Sequence, residues 1–146
     1  MARRFPLQAL LELTRDHADS SARTLSGLKG IWLGAEEKLR QLQQYEEEYR
    51  ARLLQSTEKG MQVTEIRNFQ QFLVKLAVAI AQQREEVERC KGRWEEGQQE
   101  WLLHKKKLNA YDTLSERHQK KVLQDESAQE QREQDEISSN KRFESE

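Results

Sequence analysis

Hydrophobic residues recur every seven positions on both sides of Gly60, and the two series mirror each other across it. Before the glycine, one column reads Leu11, Ala18, Leu25, Trp32, Leu39, Glu46, Leu53; after it, another reads Ile66, Leu73, Ile80, Val87, Trp94, Trp101, Leu108. A seven-residue period is two helical turns and marks a helix that winds round a partner. Folded at Gly60, the chain sets Leu53 against Ile66, Leu39 against Ile80 and Trp32 against Val87. It also sets Leu25 against Trp94, Ala18 against Trp101 and Leu11 against Leu108. The residue numbers of every pair add to one total, as antiparallel pairing requires. The pattern predicts an all-α fold, a long two-helix antiparallel coiled-coil hairpin.

Companion columns support the same register. They read Thr14, Ser21, Leu28, Ala35, Leu42, Tyr49, Ser56 on the first helix. On the second they read Phe69, Leu76, Gln83, Cys90, Gly97, His104, Tyr111, His118. Pro6 suits the first helical position, Gly60 the left-handed residue that ends a helix, and Thr64 the cap of the next. One coiled-coil domain is expected over 1–146: a helix at about 6–57, a turn at about 58–63, a helix at about 64–138 and a flexible tail. The second helix outruns the first, so beyond about Val122 it is a helical overhang, and the paired part is roughly 70–80 Å long. Flanking charges place Arg52 beside Glu65, Glu36 beside Arg84 and His17 beside Glu100. The like pairs Lys29/Lys91 and Arg15/Lys105 instead suggest a basic strip near the open end.

Composition narrows the function classes. Charged residues make up 35% of the chain and aromatics 7%, the balance of long helices rather than of a compact core. A formal net charge of −1 gives no general drive toward nucleic acid or an anionic membrane. No apolar run reaches the length of a membrane span, no signal-peptide core is visible, and the single Cys90 makes no internal disulfide. A cytoplasmic location without membrane insertion is the expectation. His17, His104 and His118 lack ligand spacing, no phosphate loop or nucleophile motif occurs, and a two-helix hairpin has no pocket, so neither a cofactor nor catalysis is expected. Lys105, Lys106, Lys107, Lys120 and Lys121 read as a solvated face, with a nucleic-acid-binding arm as the rival that steep salt dependence would reveal.

Beside the seam near the turn, Tyr45 and Phe72 take equivalent flanking positions and face each other. With Leu42, Tyr49, Phe69, Leu76 and Ala79 they widen the apolar stripe. Either they roof the seam, or they form a patch that a partner covers.

The order of these segments resembles the FliJ family, coiled-coil proteins of the bacterial flagellar type III export apparatus. The resemblance rests on Phe5-Pro6-Leu7-Gln8-Ala9-Leu10-Leu11 and on Leu39, Leu42, Tyr45, Glu48, Tyr49 and Arg50 at their spacing. It continues through Gly60, the run from Asn68 to Ile80, Trp101 to Leu114, and Glu130-Gln131-Arg132 followed by Asp135-Glu136. It implies a stalk that docks in the hexameric flagellar export ATPase, contacts the cytoplasmic part of the membrane export gate and escorts export chaperones. Such a protein lies at the inner membrane peripherally. The gate-binding residues it implies are Leu42, Tyr45, Tyr49, Phe72, Leu76 and Ala79, with Lys38 and Gln83 at the margin. Because the overhang has no partner within the hairpin and its charges suit the polar wall of such a ring, Phe5, Leu7, Glu130, Gln131, Arg132, Asp135 and Glu136 are expected at the ATPase. The equivalent stalk of a virulence type III secretion system is the near alternative.

Overall fold

The computed structural model describes residues 4–144 and consists of two helices, α1 (Gln8–Lys59) and α2 (Val63–Glu144). No strand occurs among the described residues. Pro6 lies in a turn ahead of α1 and is not its first residue: the Gln8 amide donates to the Phe5 carbonyl at 3.1 Å, and Leu11 to Leu7 at 2.9 Å. Proline presets φ for such a turn and has no N–H to leave unpaired.

The chain reverses at Gly60, whose φ of 90° is open to glycine at little cost. The Gly60 amide donates to Thr57 O at 3.2 Å, and the next helix begins with Ile66 N–H to Gln62 O at 3.2 Å. Thr64 is therefore inside α2 and does not cap it. At the other end α2 does not give way to a flexible tail at 138 but runs to Glu144. No glycine follows Gly97 and no proline follows Pro6 to break it. Lys141 and Arg142 lie in its last turn, where cations favour the helix dipole.

Contacts divide the chain into two units. The first joins residues 21–59 of α1, the turn, and α2 as far as Trp101, with the helices antiparallel. Covered positions on both helices follow the two heptad columns, and flanking positions are mostly exposed. Ala35, Val87 and Cys90 form a buried cluster with Trp32 and Leu39 against it, and Leu76 and Ile80 are buried nearer the turn. Gln83, a polar residue in the seam, is buried because its Nε2 donates to the Ala35 carbonyl of the other helix at 2.9 Å. The short alanine side chain leaves that carbonyl within reach. Trp94, expected opposite Leu25, has its ring 5.2 Å from that of Trp32. Gly97 makes room at this level, since a Cβ there would lie 2.8 Å from Leu28 Cδ1.

The second unit joins the chain up to Ser20 with α2 from Leu102 onward. Leu11, Ala18 and Leu108 are its buried cluster, covered by Phe5 and Tyr111. Thr14 is also buried and satisfies its hydroxyl by donating to Leu10 O at 2.7 Å. His17 and His104 meet edge to face at 5.7 Å. From Leu123 to Glu144 every residue is exposed.

Two of the expected charge pairs give way to others. Arg15, expected beside Lys105, pairs with Asp112 at 3.5 Å. Arg52/Glu65 and Glu36/Arg84 make no ion pair; Arg40 bonds Glu37, Arg50 meets Glu46, and Arg89 reaches Glu85 and Glu86 along their own helices. Partners three or four residues away are already placed by the helix, whereas a bridge across it must order two long exposed side chains for little gain.

Gly27, Gly30, Gly34 and Gly92 have open space where a Cβ would stand. Gly30→Ala and Gly34→Ala should each raise stability by about 1 kcal/mol, read as a higher denaturation midpoint at unchanged slope. Gly97→Ala should gain less, because Leu28 must shift.

Candidate functional site

Near the turn the heptad places four aromatic rings at one level. Tyr49 and Phe69 occupy seam columns, while Tyr45 and Phe72 flank them from opposite helices. The Tyr49 ring lies 4.4 Å from Phe72 and 4.9 Å from Phe69. Tyr45 stands edge-on to Phe72 at 6.0 Å and tilted against Tyr49 at 6.0 Å. Offset and edge-to-face rings add cohesion beyond their buried area. Tyr45 nevertheless remains 45% exposed, whereas Tyr49, Phe69 and Phe72 are half-buried.

The six residues expected to bind a partner are thus in one unit but not equivalent. Leu42 and Ala79 are half-buried, and Leu76 is buried at 6% exposure, so it offers a partner little surface. Gln83 is committed to the Ala35 carbonyl.

A longer apolar surface escapes a reading based on the seam alone. Val63, Val74 and Val78 are exposed at 72%, 65% and 53%, on the side of α2 away from its partner helix. The signal was present in the sequence: between Phe72 and Ala81 the only polar residue is Lys75. A seam predicts two apolar columns, and this segment exceeds them.

In the other unit, the residues expected at the ATPase ring are spread out. Phe5 packs on the cluster of Leu11, Ala18 and Leu108, with its ring 5.5 Å from His118, so it closes the end of the seam. Beside it a cleft of about 380 Å³ is lined by Gln8, His118, Val122 and Leu123 among others. Leu7 is 36% exposed. Glu130, Gln131, Arg132, Asp135 and Glu136 all face solvent on the overhang, where Gln131 donates to Asp135 at 3.4 Å.

Ionisable groups here are organised along the helices. The Arg40 guanidinium, hydrogen-bonded to Glu37, holds that carboxyl below its usual range, and Arg89 does the same for Glu86. Cys90 is buried and donates to Glu86 at 3.5 Å; burial first, and then this carboxylate, raise the thiol pKa. It therefore stays a protonated packing residue at neutral pH. No cluster of three or more His, Cys, Asp or Glu able to hold a metal occurs among the described residues, and no helix there is long and apolar enough to cross a membrane.

The family model described as Flagellar FliJ protein matches residues 3–145. The chain belongs to this family. The flagellar FliJ proteins of Salmonella typhi and of Escherichia coli K12 are each 30% identical to it over 137 residues, covering 94% of this chain and 93% of theirs. A solved structure of a YscO homologue from Chlamydia trachomatis superposes with a TM-score of 0.58 at 20% identity. It covers 94% of this chain and 93% of that one, a likeness of fold. FliJ membership thus spans both the aromatic face and the overhang.

Proposed function

We propose that this chain is the coiled-coil stalk of the flagellar type III export apparatus, linking the hexameric export ATPase to the cytoplasmic part of the membrane export gate. The observation that carries the reading is the aromatic cluster. A packed group of four rings, with Tyr45 half exposed at its edge, is built like the anchor of a protein interface. In this reading Leu42, Tyr45, Tyr49, Phe72 and Ala79 meet the gate, and the buried Leu76 offers it little surface. The chain works in the cytoplasm, peripheral to the inner membrane, and carries export chaperones by the same apolar surfaces.

The overhang and the turn ahead of α1 are assigned to the ATPase ring. From Leu123 to Glu144 α2 is helical with every residue exposed, and rich in charges that suit a polar channel wall. Phe5 lines a cleft together with Val122, Leu123 and Glu126 at the base of this overhang, and Leu7 stands exposed two residues on.

A truncation after Gln129 tests the assignment. The removed turns touch no buried cluster, so the thermal midpoint should hold while stimulation of the ATPase or binding to its ring falls. Stimulation equal to that of the full chain would move the ring contact elsewhere on the helices.

A further inference from the structure

The exposed valines of α2 call for an account that the aromatic face does not supply. A helix that is apolar all round is normally buried all round. From Phe72 to Ala81 α2 is nearly so, yet α1 covers only the Leu73, Leu76 and Ile80 side. Val74 and Val78 are exposed at 65% and 53%, with Ala77 and Ala81 exposed beside them.

The charges around this stripe have one sign. Between Glu65 and Glu85 the only charged residues are Arg67, Lys75 and Arg84, all exposed and none in an ion pair. At helical spacing Arg67 lies in line with Val74 and Val78, while Lys75 and Arg84 border the stripe on either side. Lys75 also falls between the stripe and the Phe72/Ala79 side, so the two apolar surfaces are continuous across one lysine.

We propose that the export gate grips α2 from outside as well as at the aromatic face. Residues 63–84 then lie in an apolar groove of the gate domain whose rim carries carboxylates for Arg67, Lys75 and Arg84. This rests on the gate reading above. A second copy of the chain is a poorer occupant, because a stripe of valines and alanines offers far less area than the roughly 800 Å² per partner of a stable dimer. A lipid surface is poorer too, since no Trp, Phe or Leu lies on the stripe to anchor it.

The test measures binding of the full chain to the purified cytoplasmic domain of the gate, by titration calorimetry at two salt concentrations. Val74→Glu combined with Val78→Glu should weaken binding about tenfold or more with the far-ultraviolet dichroism unchanged. Arg67→Glu with Arg84→Glu should weaken it less and flatten its salt dependence. Tyr45→Ala with Phe72→Ala serves as the comparison. If that pair loses binding while the valine pair binds like the parent, the gate touches only the aromatic face, and the outer stripe is not part of its contact. If the parent chain itself does not bind the domain, the aromatic face is no contact either. A concentration-dependent dimer in sedimentation that the valine pair abolishes would give the stripe to a second copy. Flotation with phosphatidylglycerol-containing vesicles, lost in the same variant, would give it to lipid. Either result overturns the groove.

Discussion

Alanine at both Tyr45 and Phe72 is expected to abolish binding to the export gate while the ATPase interaction survives. Anchors of this kind lose about 2 kcal/mol or more of association each when truncated, so the pair together should exceed the range of an ordinary binding assay. The structure also separates the two residues. Tyr45 is 45% exposed and touches other rings only at 6.0 Å, so its removal should barely move the melting temperature. Phe72 is half-buried with its ring 4.4 Å from Tyr49, so its truncation should cost stability as well as binding. Tyr45→Ala is therefore the cleaner probe of contact with a partner, measured by calorimetric titration beside a thermal melt. Loss of gate and ATPase binding together, with a large drop in melting temperature, would show that the two rings only roof the seam.

The largest effect on stability is expected from Ile80→Ala, about 2–4 kcal/mol, against no more than about 0.5 kcal/mol for Val78→Ala two residues away. Ile80 is 4% exposed and Val78 is 53% exposed. Among the described residues no large side chain is completely buried, so α1 and α2 hold together through a thin seam. A single buried isoleucine is then a large share of the few kcal/mol by which a domain is stable. Urea denaturation followed at the helical dichroism band checks both values. Equal effects at the two positions would mean that α1 covers the Val78 side as well as the Ile80 side.

The two heptad columns were legible because helical periodicity converts position in sequence directly into a face. Leu11, Leu76, Ile80, Val87 and Leu108 are all covered as the columns require. Gly60 at the reversal was equally plain, since only glycine enters φ of 90° cheaply. The aromatic face follows once the flanking columns are added to the seam. The outer valines obey no seam, and only the near absence of polar residues from Phe72 to Ala81 marks them. Hydrophobicity falls toward the end of α2, but local propensity without a breaker carries the helix to Glu144.

Seven-residue periodicity and one well-placed glycine are enough to establish two antiparallel helices and the residues between them, because both are local properties of a backbone with fixed pitch. Tertiary structure alone decides which charges pair, that Gln83 spends its amide on Ala35, that Leu76 is buried while Tyr45 stands out, and that Trp94 reaches Trp32. Those outcomes turn on side-chain length, on the room left by small neighbours such as Ala35 and Gly97, and on differences of a few tenths of a kcal/mol between competing partners. A repeating pattern carries no information at that scale.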